Sequence, residues 1–233
     1  MDKFKINGPS KIRGEVSISG SKNAALPILA ATLLFDKNVT IKNLPRVKDI
    51  DTMLNLLKSL GRKISFKNNK KIATISKGNK NNFFAPYSLV KTMRAGILVL
   101  GPLLAKNKKA KVSSPGGCSI GVRPIDIHLK AISKLGVKIQ IEKGYVNAKA
   151  QKGLVGSEIR FSKISVGATE NLILAACLAN GTTTIKNCAI EPEIKDLTNF
   201  LKTAGAKIKW IGKRTLKIEG VKTLKSITYS IMN

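Results

Sequence analysis

The sequence predicts an α/β domain of pseudo-threefold symmetry. Three observations lead there: an amphipathic helix ending in glycine recurs three times, a more apolar helix precedes each copy, and short period-two segments separate and follow them. Gly61, Gly136 and Gly205 close the recurring helices and lie 75 and 69 residues apart. A fixed spacing of like segments is the mark of repeat architecture, in which one supersecondary unit is copied and packed against itself.

Taken along the chain, residues 15–19 (Glu-Val-Ser-Ile-Ser) alternate apolar and polar and are expected to form a strand. Residues 23–34 are apolar nearly all round and read as a buried helix, followed by the strand Val39-Thr40-Ile41. Residues 50–64 place apolar side chains at three-to-four spacing up to Gly61, a helix with a glycine C-cap running into a strand, and Ile72-Ala73-Thr74-Ile75 continues as another strand. The second copy repeats this with a helix over 92–105 and an amphipathic helix over 125–139. The third does so with 168–180, the strand Thr183-Thr184-Ile185, and 194–208. Each unit thus holds two helices and about four strands. The apolar helices are expected to pack together inside, with the short sheets facing outward.

Composition narrows the function. Three cysteines (Cys118, Cys177, Cys188) show neither disulfide nor zinc spacing, as expected of a reducing cytosol, and a single histidine argues against a histidine triad or a metal centre. His128 follows Asp126 on a helical pattern and is expected to be partly exposed. No apolar run has membrane-spanning length, and the N-terminal residues lack a signal peptide's apolar stretch. The net charge of +29 invites a nucleic-acid reading. Against it, the lysines are scattered rather than clustered, arginine is scarce and aromatics make up only 5%. Drift toward lysine and asparagine accounts better for the charge, which still favours an anionic substrate.

Residues 113–126 (Ser-Ser-Pro-Gly-Gly-Cys-Ser-Ile-Gly-Val-Arg-Pro-Ile-Asp) set Cys118 in a Gly/Ser/Pro-rich loop with Arg123 five residues on. A cation near a loop thiol favours thiolate, so Cys118 is a candidate reactive group; the alternative is a structural or incidental thiol. Cys177 lies in an apolar helical run and is expected to be buried and inert. The first helices begin with Ser21-Lys22-Asn23, Lys91-Thr92-Met93-Arg94 and Lys163-Ile164-Ser165-Val166. Free N–H groups and the helix dipole make each start a candidate anion site, while singly Ser21 or Ser165 reads as an N-cap and Lys22 or Arg94 as a solvated charge. In equivalent repeat positions, they read together as a phosphate-binding rim.

The segments 19–27 (Ser-Gly-Ser-Lys-Asn-Ala-Ala-Leu-Pro), 91–95, 115–124 and 165–169 resemble, in order, the motifs of the UDP-N-acetylglucosamine enolpyruvyl transferase family. The resemblance implies an inside-out α/β barrel of three βαβαββ repeats and an addition–elimination on phosphoenolpyruvate in the cytoplasm, the first committed step of peptidoglycan synthesis. It implies Cys118 as general acid, and Lys22, Asn23 and Arg123 as the phosphoenolpyruvate site. Arg94, Arg123, Pro124, Ile125, Asp126, Ile127, Lys163, Ile164, Ser165 and Val166 would hold UDP-N-acetylglucosamine, with no cofactor and no metal. Asp49 and Asp51 match the family pattern too; capping of the following helix is their other reading. Family members are about twice as long. By resemblance residues 1–21 belong to a second domain, 22–229 form the three-repeat domain, and 230–233 begin a truncated crossover. Three readings follow: a half enzyme completed by a separately encoded second domain, an inactive remnant that at most binds UDP-sugar, and a basic nucleic-acid-binding module. No membrane association is expected.

Overall fold

The computed structural model describes residues 3–80, 82–91, 93–114 and 125–233. Cys118, Arg123 and Pro124, and the rest of 115–124, lie outside the described residues, as do Met1, Asp2, Asn81 and Thr92.

The first unit runs α1 (Lys22–Ala31), a short 3-10 turn, β1 (Val39–Lys42), α2 (Lys48–Ser59), β2 (Arg62–Lys67) and β3 (Ile72–Lys77). The second opens with β4 (Phe84–Ala85), a one-turn helix α3 (Tyr87–Val90) and the 3-10 segment Arg94–Val99, and continues through α4 (Leu100–Asn107), β5 (Lys109–Ser113), α5 (Asp126–Ser133), β6 (Lys138–Glu142) and β7 (Tyr145–Lys149). The third comprises β8 (Glu158–Arg160), α6 (Val166–Ala176), β9 (Thr182–Lys186), α7 (Pro192–Thr203), β10 (Lys207–Gly212) and β11 (Thr215–Glu219), and β12 (Ile227–Ser230) ends the chain.

Three four-stranded sheets share one plan, in the orders β12-β1-β3-β2, β4-β5-β7-β6 and β8-β9-β11-β10. In each, a parallel edge strand flanks a central strand that pairs antiparallel with a hairpin. The edge strand precedes its unit in the second and third copies. In the first it arrives from the far end of the chain, with Ile227 opposite Val39. Closure is therefore circular: β12 takes the place that a strand before α1 would fill. Asp196 secures it, its carboxylate accepting from Tyr229 Oη at 2.6 Å and from the Met232 amide at 3.3 Å. Ser21 N–H donates to the Met232 carbonyl at 2.8 Å, so the last residues are fastened to the start of α1.

Burial follows the periodicity. Ala24 to Ala31 in α1 and Ala168 to Ala176 in α6 are buried without a gap, as are Gly96 to Leu104 across the second unit's first helix. These three segments form the centre. The amphipathic α2 and α7 bury one face each, through Ile50, Met53, Leu54, Leu56 and Leu57 in the former. Gly61, Gly136 and Gly205 all adopt left-handed backbone, with φ of +94°, +85° and +95°. That is the glycine helix stop the sequence predicts.

Two expectations are corrected. The second unit's first helix is not continuous: Arg94–Val99 is 3-10 and only Leu100–Asn107 is α-helical. Pro102 has no N–H to give Leu98, so the i→i−4 ladder cannot run through that point. Residues 15–19 form no strand. All of 3–19 is exposed and unpaired in any sheet, because no neighbouring strand stands beside it.

Candidate active site at the convergence of the helix starts

The three central helices point their N-terminal ends at one open cleft of about 560 Å³, whose lining includes Lys22, Asn23, Met93, Arg94, His128, Ile164, Ser165, Val166, Glu170 and Glu193. Its floor is built by local rules. Ser21 is the N-cap of α1, its side chain accepting from Ala24 N–H at 3.4 Å, and Ser165 repeats this on α6, accepting from Ala168 N–H at 3.3 Å. Serine oxygens satisfy one helix-end donor each, leave the other N–H groups of the first turn unbonded within their helices, and keep their own hydroxyl proton available. Two equivalent helix ends with positive dipoles thus meet at one opening, which favours oxyanions.

Lys22 lies in the first turn of α1 and pairs with Asp49 Oδ2 at 2.9 Å. Both side chains are over a third exposed, so the pair adds little stability; it holds the ammonium at the cleft mouth. Asp49 is therefore no helix cap. The residue before α2 is Val47, and no side chain caps that helix. Pro27, inside α1, removes the amide that would bond the Asn23 carbonyl at the cleft end of the helix.

Behind the cleft wall a buried amide locks the units together. Asn171 Oδ1 accepts from Gly101 N–H at 2.7 Å, while Asn171 Nδ2 donates to the Ile97 carbonyl at 2.9 Å and lies 3.3 Å from His128 Nδ1. A side chain at Gly101 would strike Asn171: its Cβ would stand 2.4 Å from the Asn171 carbonyl oxygen. His128, expected to be partly exposed, is buried. Burial, and then the charge of Arg94, push its imidazole down to about 4, so Nδ1 is free to accept from Asn171. Gly167 permits this packing, since a Cβ there would come within 3.1 Å of His128 Cε1.

Of the residues named from sequence, Lys22, Asn23, Arg94, Ile164, Ser165 and Val166 share the cleft. Ile125, Asp126 and Ile127 sit at the start of α5 beside it without lining it; Asp126 faces Lys130 at 3.7 Å. Lys163 does not line it either. Asp51 lines a separate hollow with Arg46 and Lys70. Glu170, Glu193 and the inward turn of His128 escaped the sequence reading. One signal was available: Glu170 is the lone charged residue in a mostly apolar helix. Cys177 and Cys188 are buried, and desolvation pushes their thiols up to about 12 and about 11. Among the described residues, no group of three or more acidic, histidine or cysteine side chains could hold a metal, and no helix is long and apolar enough to cross a membrane.

The model of the EPSP synthase (3-phosphoshikimate 1-carboxyvinyltransferase) family matches residues 6–233. A UDP-N-acetylglucosamine 1-carboxyvinyltransferase of Pelagibacter ubique is 64% identical over 232 residues, all of this chain and 55% of that protein. One of Acinetobacter guillouiae is 53% identical, again over 55% of its length. The chain thus spans about half the length of these curated relatives. Among solved structures, the enolpyruvyl transferase NikO from Streptomyces tendae is similar with a TM-score of 0.83 at 21% identity, over 96% of this chain and 53% of that one. EPSP synthase from Acinetobacter baumannii is similar at a TM-score of 0.73 and 17% identity, over 94% and 49%.

Proposed function

Since the chain belongs to the EPSP synthase family of carboxyvinyltransferases, we propose that it supplies one wall of a UDP-N-acetylglucosamine 1-carboxyvinyltransferase site. The observation that carries this reading is the convergence of Lys22, Asn23, Arg94 and Ser165 from three separate repeats on one anion-favouring cleft. In the reaction, the Cys118 thiol gives a proton to C3 of phosphoenolpyruvate while the sugar 3-hydroxyl oxygen attacks C2. The hydroxyl proton passes to a base outside this chain. The tetrahedral ketal then loses a proton from C3, the C2–C3 double bond re-forms, and phosphate leaves with the C2–O electron pair.

Lys22 and Arg123 would hold the phosphate and carboxylate of phosphoenolpyruvate by charge-assisted hydrogen bonds, with Asn23 against the reacting centre. Arg94, Arg123, Pro124, Ile125, Asp126 and Ile127 would contact the UDP-sugar from one side, and Lys163, Ile164, Ser165 and Val166 from the other. The Lys22–Asp49 pair opens as substrate arrives, exchanging one carboxylate partner for another. The product would enter peptidoglycan synthesis in the cytoplasm.

The partner would be a second domain that closes the cleft. The exposed segment 3–19 supports this: Phe4, Ile6, Ile12, Val16 and Ile18 are 73% to 99% exposed, apolar area that water disfavours and another sheet could cover. Catalysis needs both walls, because orientation and exclusion of water come from closure.

The test is complementation. Phosphate release from phosphoenolpyruvate and UDP-N-acetylglucosamine is measured with the chain alone, with the remaining half of the Pelagibacter ubique relative alone, and with both. Turnover is expected only in the mixture, and Cys118→Ser should reduce it by at least about a hundredfold, the scale of a lost general acid. A mixture that forms a complex yet releases no phosphate would overturn the reading in favour of an inactive, UDP-sugar-binding remnant.

A further inference from the structure

Glu170 is the one acid set inside the central helices, and the proposed reaction gives it no role. It lies in the first half of α6, is 5% exposed, and lines the same cleft as Lys22, Asn23, Arg94 and Ser165. No hydrogen bond joins its carboxyl to any described residue; the neighbouring Thr169 Oγ1 instead donates to the Ser165 carbonyl and accepts from Ala189 N–H. Among the described residues, the charged and titratable groups around the cleft are Lys22 on α1, Asp49 on α2, Arg94, the neutral His128 on α5 and Glu193 on α7, with Glu191 just before α7. The nearest in effect are the two glutamates, which repel a charge on Glu170.

An unpartnered carboxylate at this depth, beside like charge, is costly, and the relief open to it is to keep its proton. Burial first, then Glu193 and Glu191, push it up to about 8. A neutral carboxylic acid has an O–H to donate, and here no described protein group receives it. The cleft around it favours oxyanions, whose oxygens are acceptors and lack protons of their own at neutral pH.

We propose that Glu170 is a further ligand-binding residue of this cleft, donating its carboxylic proton to an oxygen of the bound phosphate-bearing substrate. The role rests on the cleft being the substrate site. Binding then requires the protonated acid: the ligand holds the proton on Glu170, and the proton holds the ligand. The same group that accepts in its charged form would repel the ligand once ionised, so the site weakens as pH rises.

The experiment follows the Glu170 carboxyl by carbon-13 NMR in the full chain, alone and saturated with UDP or with phosphoenolpyruvate, alongside affinities measured between neutral pH and about pH 9.5. Phosphate groups with a second pKa of about 6 stay fully ionised across the upper part of this range. Reciprocal linkage requires the Glu170 titration to move upward on binding. In the wild type, affinity should fall about tenfold for each pH unit above the free-state titration point. Glu170→Gln, neutral and still a donor, should match the wild type at neutral pH and lose that fall. Movement with UDP assigns the proton to the diphosphate, and movement with phosphoenolpyruvate assigns it to that substrate's oxygens. If a ligand binds while the Glu170 titration stays put, or if Glu170→Gln keeps the wild-type pH profile, the proposal fails and the substrate cleft stands. If neither ligand binds the wild type at any pH, the cleft assignment itself fails.

Discussion

The central helices and residues 3–19 both carry apolar side chains, yet those of Ala24 to Ala31 are all buried and those of 3–19 all exposed. Ala24 to Ala31 lie in a closed ring of three repeats, whereas Phe4 and Val16 stand over 90% exposed. The contrast shows that apolar composition alone does not bury a segment. α1 has neighbours from all three units, and its parallel edge strand returns from the chain's other end. The N-terminal segment has alternating character but no strand beside it, so its backbone groups and side chains stay in water.

The sharpest way to break the comparison is to damage the ring. Gly101→Val should lower stability most, by about 3 kcal/mol or more, because its side chain must displace the Asn171 backbone rather than a flexible tip. Thermal unfolding checks it; a melting point within a degree of wild type would mean that the helices are not so tightly joined. Asn171→Ala comes next, at about 1–3 kcal/mol, since it strands the Gly101 N–H in the core and leaves the Ile97 carbonyl with only the Leu100 N–H.

Titration gives a smaller and directional effect. His128 has its folded pKa lowered from 6.5 to about 4, so its contribution is whole above pH 6.5 and is lost as pH falls toward 4. Glu170 has its folded pKa raised from 4.5 to about 8, so its contribution is whole below pH 4.5 and is lost as pH rises toward 8. The two slopes oppose each other between 4.5 and 6.5. Above that, of these two groups, Glu170 alone acts, and its contribution should drop by about 1–2 kcal/mol by pH 8. Denaturant unfolding at successive pH values reads this, and Glu170→Gln should flatten the drop. Finally, deleting residues 3–19 should change the melting temperature by no more than about 1 °C, because they bury nothing. A large loss would show contacts that the exposed segment does not display.

Much of this was legible beforehand. The glycine stops at 61, 136 and 205, the apolar first helices and the flanking strands are local properties, fixed by periodicity and by the backbone freedom of single residues. The grouping of Lys22, Asn23, Arg94 and Ser165 was legible too, as equivalent positions of a repeat. The misses have a common origin. A strand over 15–19 needs a partner that sequence pattern cannot supply, and Pro102 divides a helix whose apolar run reads as continuous.

The sequence by itself therefore determined the repeat, its helix ends and the basic rim of the cleft, because caps, turns and amphipathic faces depend on residues a few positions apart. Only the tertiary structure decided that β12 would close the first sheet, that Asp49 would pair with Lys22 rather than cap α2, and that His128 and Glu170 would be buried. Burial and charge state depend on which surfaces meet. Those meetings join residues up to two hundred positions apart, as with Asn43 and Asn233, whose side chains bond at 2.7 Å.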